Sequence, residues 1–313
     1  MSQPDTQQDK NTHTFDFGKI DWEAYESHRP PYPEALYDII FQHHREYAGR
    51  WDTALDVGAG GGTVTKVLLQ HFKHVVCSDA AAGYVSQAEH RFSQEKSAGR
   101  VSFAHRKFDE FDPATDLPQG RIVDMVTAGT CIHFGDPAQI TTQLAKLVRP
   151  GGTLAAFTYG SLPILPADEP AKELVDTTKN KILRWLHENV KALDRIDATG
   201  TGQARYDNVD FDPALWTDVR RITSLPDEHV WPEWIKASES RVRDDVERKE
   251  AVQDDFITRP VDFDFFPEYF RNLAPGYDVS DLIRDDLKKI KGVMGSRKVV
   301  AKWPVIMVIA TRG

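Results

Sequence analysis

The sequence predicts an α/β fold: an open, mostly parallel sheet with a helical cap inserted towards its carboxyl end. Three observations carry the prediction. Short apolar strands alternate with helically spaced segments over roughly a hundred residues, as a parallel sheet covered on both faces requires. A glycine-rich run, Leu55-Asp56-Val57-Gly58-Ala59-Gly60-Gly61-Gly62-Thr63, lies where the first strand hands over to a helix. The alternation stops after Gly160, and β patterning returns only over 298–311.

Taken in order, Leu36, Ile39, Ile40, His43 and Tyr47 recur at three- and four-residue steps and predict an amphipathic helix that stops at Gly49. Residues 53–57 form the first strand, and Val64, Val67 and Leu68 continue as a helix. The second strand is 74–78, ended by Asp79, with a helix carrying Tyr84, Val85, Ala88 and Phe92 behind it. Strands three and four are 101–104 and 122–128. Asp136-Pro137 then supplies an N-cap and a first-turn proline for a helix bearing Ile140, Leu144 and Leu147. Arg149-Pro150-Gly151-Gly152 stops that helix, and 153–159 is the fifth strand.

Beyond Gly160 come a proline-rich bend (162–166), a helix around 174–193, a polar loop at 199–203 and a charged helical stretch at 232–256. Residues 298–303 and 305–311 read as an edge pair around Pro304 that closes the sheet. The expected organisation is a disordered tail (1–14), a ligand-binding core with N-terminal helices (15–160), a mostly helical substrate cap (161–295) and the last two core strands (296–313).

Composition narrows the function classes. A chain of 313 residues buries a sizeable core without disulfides or metal. Its 39 basic and 48 acidic residues give a net charge of -9, which repels phosphate backbones and argues against nucleic acid as a partner. The two cysteines, Cys77 and Cys131, sit in apolar contexts and read as buried free thiols of a reducing compartment. No signal-peptide core and no long apolar run is present, so the expectation is a cytoplasmic protein without membrane association, monomeric with a homodimer as the alternative.

Gly58, Gly60 and Gly62 permit backbone conformations barred to other residues and let a ligand approach the main chain. A dinucleotide fingerprint, G-x-G-x-x-G, needs a third glycine where Thr63 stands, and dehydrogenases begin at their first strand without some fifty preceding residues. Both departures disfavour a nicotinamide cofactor. Asp79 ends the second strand about twenty residues past the loop, where it accepts hydrogen bonds from ribose hydroxyls of either kind of cofactor.

The D-x-G-x-G-x-G loop, Asp79 and the strand order together resemble the class I S-adenosylmethionine-dependent methyltransferases. Two further segments resemble the fungal trans-aconitate methyltransferase-like group: Tyr25-Glu26-Ser27-His28-Arg29-Pro30-Pro31-Tyr32-Pro33 matches Y-x-x-x-R-P-x-Y-P, and Cys131-Ile132-His133-Phe134 is similar to its A-H-W segment, with Phe134 in place of Trp. The resemblance covers 16–160 well and the remainder in outline. It implies a Rossmann-like seven-stranded sheet, S-adenosyl-L-methionine as cofactor with S-adenosyl-L-homocysteine as product, and no metal.

The resemblance also implies roles at matching positions. Asp56, Gly58, Ala59 and Gly60 would contact the methionine part, Asp79 and Ala80 the ribose, Phe108 and Asp109 the adenine, and Ala128 the cofactor through its backbone. Tyr25 and Arg29 would fold over the methionine end, Arg29 pairing with its carboxylate. Asp109 equally suits a turn cap, and Arg29 a surface position before a helix.

His133 follows the fourth strand at the carboxyl edge, where ligands of open α/β sheets collect. It is the candidate catalytic residue, orienting a carboxylate or acting as general base on a hydroxyl, and it equally suits a structural histidine bonded to backbone. Tyr159 and Trp234 are the aromatics expected to face a small-molecule acceptor; Phe157, Trp185 and Trp231 are further pocket candidates or plain core. The leading expectation is O-methylation of a small organic acid or hydroxyl-bearing metabolite. The alternative is a cofactor-binding protein of the same fold that acts as a non-methylating pericyclase or regulatory partner.

Overall fold

The computed structural model describes residues 27–47, 49–107, 110–120, 122–160, 163–189, 198–228, 232–252, 256–274 and 277–313. Its first helix, α1 (Glu34–Tyr47), buries Leu36, Tyr37, Ile40 and Phe41, the face that the sequence spacing indicates. There follow β1 (Thr53–Val57), α2 (Thr63–Leu68), β2 (His74–Asp79), α3 (Ala82–Arg91), α4 (Ser93–Ser97), β3 (Val101–His105), α5 (Pro113–Asp116), β4 (Val123–Gly129), α6 (Ile140–Ala145) and β5 (Val148–Tyr159). Strands β1 to β5 pair only in parallel among themselves, in the order β3-β2-β1-β4-β5. Alternate residues of β5 feed two separate cores, Ala155 and Phe157 on one face and Leu154 and Ala156 on the other. Burial on both faces explains why these strands read as continuous apolar runs.

The inserted segment contains α7 (Lys172–Asn189), α8 (Ala198–Gln203), β6 (Trp216–Ser224), β7 (Glu247–Val252), β8 (Ile257–Val261), α9 (Phe265–Arg271) and α10 (Ser280–Met294), and the chain ends in β9 (Val299–Trp303) and β10 (Val305–Arg312). Strand β10 runs antiparallel between β5 and β6, and β7 joins β6 in parallel at the far edge. The Rossmann-like class is as expected, with eight strands in the sheet where seven are predicted.

Three local expectations are corrected. The two C-terminal strands do not form an edge pair: β10 is central, and β9 leaves the main sheet to pair antiparallel with β8. Pro304 separates them, and Gly160 donates to the Pro304 carbonyl at 2.7 Å where the chain changes sheet. The charged stretch 232–256 is not a helix, since it ends in β7, the edge strand of the main sheet. Edge position tolerates charge on both faces: Arg220 makes a two-pronged bond to Glu250 at 2.7 and 2.9 Å, and Lys249 reaches Asp207 at 3.0 Å. The expected loop at 199–203 falls in α8, where the Ala204 amide bonds the Gly200 carbonyl at 2.8 Å.

Two buried polar contacts fix where the core strands begin. The Asp124 carboxylate accepts the Asp52 and Thr53 amides at 2.8 and 3.0 Å and the Arg149 guanidinium, tying the amino ends of β1, β4 and β5. With those ends registered, the carboxyl ends of β1, β2, β4 and β5 share one edge of the sheet.

Candidate functional site

At that edge the chain leaves β1 through Gly58, Gly60 and Gly62, with φ values of 60°, 55° and 82°. Three left-handed glycines in five residues turn the backbone back over the end of the strand and keep its main chain bare. Gly62 is also closely packed, since a Cβ there would stand 2.4 Å from Cε2 of the buried Phe92 ring. Behind the loop the Ala59 amide donates to the Ser78 carbonyl at 2.9 Å, and the Gly60 amide donates to an Asp79 carboxylate oxygen at 2.9 Å. The other Asp79 oxygen takes the Ala81 amide at 2.9 Å. Each carboxylate oxygen carries two acceptor lone pairs, so a carboxylate held from behind in this way still suits hydroxyl donors in front.

Asp56 lies beneath the loop, fully buried. Its oxygens accept the Thr65 hydroxyl at 2.7 Å and the Thr127 hydroxyl at 2.9 Å, one from α2 and one from β4. Burial pushes its carboxyl up to about 6 despite those bonds. Asp56 thus braces the turn from below, with its carboxylate turned to these hydroxyls. Ala80 offers its carbonyl to His105 Nε2 at 2.9 Å, and Ala128 is a buried core residue of β4 opposite Ala156.

A second element faces the same edge. After β4, Thr130 adopts φ 52° and Cys131 donates its thiol to the Val57 carbonyl at 3.0 Å, which draws the 3₁₀ turn Ile132–Phe134 against the end of β1. His133 sits in this turn, half-buried, its ring 4.2 Å from that of Phe134 and its Nδ1 3.2 Å from the Tyr206 phenol oxygen. Burial lowers its basicity to about 4, so it is neutral at physiological pH. The glycine loop, Asp79 and His133 are therefore brought to one edge of the sheet, as the sequence indicates.

Other candidates are placed elsewhere or lie outside the described residues. Arg29 donates to the Asn272 carbonyl at the end of α9. Tyr159 is buried with its ring 5.5 Å from that of Tyr32. Trp234 packs on α7, 5.4 Å from both the Arg184 guanidinium and the His187 ring. Tyr25, Phe108, Asp109 and Trp231 fall outside the described residues. Sequence reasoning gives no role to Thr65, Thr127, Thr130, Thr158 or Tyr206; lone hydroxyls carry no spacing signal, and only the packed edge brings them together. Both cysteines are free and buried, as expected.

A methyltransferase domain family model matches residues 55–154, which span the glycine loop, Asp79 and His133. A methyltransferase of Claviceps purpurea is 29% identical over 304 residues, covering 93% of this chain and 91% of that protein. Methyltransferase cfoB of Aspergillus candidus is 26% identical over 313 residues, covering 93% and 94%. Methyltransferase AacuQ of Aspergillus aculeatus is 35% identical over 153 residues, 49% of this chain and 47% of its own. A solved structure of a proposed type II methyltransferase from Anaeromyxobacter dehalogenans shares the fold, with a TM-score of 0.54 at 20% identity, covering 90% of this chain and 97% of that one.

With the parallel sheet and the bared glycine turn, these matches make the chain a class I S-adenosylmethionine-dependent methyltransferase. Its residues fit that cofactor. The turn at Gly58 and Gly60 leaves backbone open to the methionyl and sulfonium part, and Asp79 stands at the rim as a hydroxyl acceptor.

Proposed function

We propose that this methyltransferase methylates an oxygen of a small molecule, the carboxyl of an organic acid or the hydroxyl of a secondary metabolite. When bound, S-adenosylmethionine supplies an electrophilic methyl group on sulfur. The protein's own part is to hold the acceptor oxygen in line, exclude water and deal with any proton, and orientation alone contributes on the order of 7 to 11 kcal/mol.

The observation that carries the reading is the neutral, half-buried His133 beside the glycine turn. An uncharged imidazole either donates to a carboxylate or takes the proton of a hydroxyl, whereas an imidazolium does only the first. The Arg29 and His133 segments, which resemble the trans-aconitate methyltransferase-like group, support a carboxyl acceptor. The inserted segment of 161–295, in the role of a cap, supports a small acceptor over a polymer.

Incubation with methyl-labelled S-adenosylmethionine and a panel of organic acids, phenols and alcohols tests the proposal. Label is expected in an ester or ether product. Label appearing only on amine or carbon acceptors, or cofactor bound without any transfer, would overturn it.

A further inference from the structure

The hydroxyl groups around His133 form a continuous chain. The Tyr206 phenol lies 3.2 Å from His133 Nδ1, and the Thr158 side chain hydrogen-bonds the same phenol. The Thr158 hydroxyl donates to Thr130 Oγ1 at 3.2 Å and is also 3.2 Å from the Tyr159 carbonyl, and Tyr32 joins Thr130 through its own hydroxyl. The chain thus links the segment before α1, the end of β4, the end of β5 and the turn after α8.

Its geometry is held from several sides. Five non-glycine residues among those described have positive φ, and three of them are Thr130 at 52°, Arg205 at 54° and Tyr206 at 65°. Left-handed backbone is unusual for a threonine or a tyrosine and persists where surrounding contacts enforce it. Here the buried Arg221, paired with Glu247 at 2.5 Å, grips the Tyr206 carbonyl at 2.6 Å.

Counting protons gives the chain a direction. A hydroxyl has one proton to donate. Thr158 spends its own on Thr130 or the Tyr159 carbonyl, so its bond to Tyr206 must be carried by the phenol proton. The phenol therefore meets His133 with a lone pair, which places the imidazole proton on Nδ1. In a neutral ring the lone pair is then on Nε2, and among the described residues Nε2 has no hydrogen-bond partner.

We infer that Tyr206, backed by Thr158, is a positioning residue that holds His133 as the Nδ1–H tautomer, offers Nε2 as a base, and so selects a hydroxyl over a carboxylate as methyl acceptor. This rests on the proposal that His133 faces the acceptor. A carboxylate oxygen against the Nε2 lone pair is repelled, whereas an alcohol or phenol donates to it. As the acceptor oxygen bonds the methyl carbon, the carbon–sulfur bond breaks with its electron pair left on sulfur, and the acceptor proton passes to Nε2. The resulting imidazolium keeps its Nδ1–H bond to Tyr206 until the Nε2 proton leaves to solvent.

Nitrogen-15 histidine-labelled protein, with His133 assigned by its loss in His133→Gln, tests the inference by long-range proton–nitrogen NMR near neutral pH. Wild type is expected to show His133 protonated on Nδ1 and bare on Nε2. Tyr206→Phe should shift the ring towards the Nε2–H form, leave S-adenosylhomocysteine affinity within about twofold and lower kcat on a phenol acceptor at least about tenfold with little change in KM. Thr158→Val, which removes the same support with a near-isosteric side chain, should shift the tautomer in the same sense and serves if Tyr206→Phe does not fold. An Nε2–H tautomer in wild type, or a tautomer unmoved in both folded variants, overturns the inference. Failure of wild type to bind S-adenosylhomocysteine would instead strike the methyltransferase reading itself.

Discussion

The Asp79 carboxylate holds the Gly60 amide at 2.9 Å, so a single side chain both ends β2 and fixes the middle of the glycine turn. Removing it takes away a hydrogen-bond acceptor for ribose and also loosens the backbone that the methionyl part would approach.

The glycine turn is constrained as well as bare. Gly62→Ala must place a methyl group 2.4 Å from the Phe92 ring at a φ of 82°. Left-handed strain and overpacking together are expected to cost about 2 to 4 kcal/mol, read as a lower midpoint in urea with an unchanged slope.

Acid sensitivity follows from buried imidazoles. Burial pushes His43, bonded to Thr311 at 2.9 Å, down to about 4, and does the same to His133. A base whose folded value is depressed contributes stability above its unfolded value, near 6.5, and loses it as pH falls towards 4. Asp56 works in the opposite sense, since its carboxyl, raised to about 6, favours the folded state on acidification over the window from about 4 to 6. Two histidines against one carboxylate leave a net loss. Thermal melting from pH 7 to pH 4 should show it, and His43→Asn should flatten the decline by on the order of 3 kcal/mol.

Much of this was legible in the chain because it is local. The strand–glycine–helix handover at 55–63 and the acid ending β2 lie within short runs whose spacing is itself the signal. The eighth strand was not legible. Glu247–Val252 carries Glu, Arg, Lys and Glu in succession, and only parallel pairing with β6 makes it a strand, with Arg220 and Asp207 far away in sequence supplying counter-charges. Tyr206 escaped for the same reason, because its partners are Thr158, His133 and Arg221, none of them its sequence neighbour.

The Arg221–Glu247 pair is buried between β6 and β7, and Arg221 also donates to the Tyr206 and Val209 carbonyls at 2.6 and 2.8 Å. Arg221→Leu leaves Glu247 charged and unpartnered by guanidinium, with an expected loss of about 3 to 5 kcal/mol by chemical denaturation. Adding Glu247→Leu should return a substantial part of that loss, because the stranded charge is gone.

The central claim is that the turn bared by Gly58 and Gly60, with Asp79 at its rim, holds the cofactor. Calorimetric titration of S-adenosylhomocysteine into wild type and Asp79→Ala tests it most directly. The account predicts saturable one-site binding to wild type and an affinity lower by at least about tenfold, or about 1.4 kcal/mol, in the variant. Equal affinities, or no binding by wild type, would contradict it.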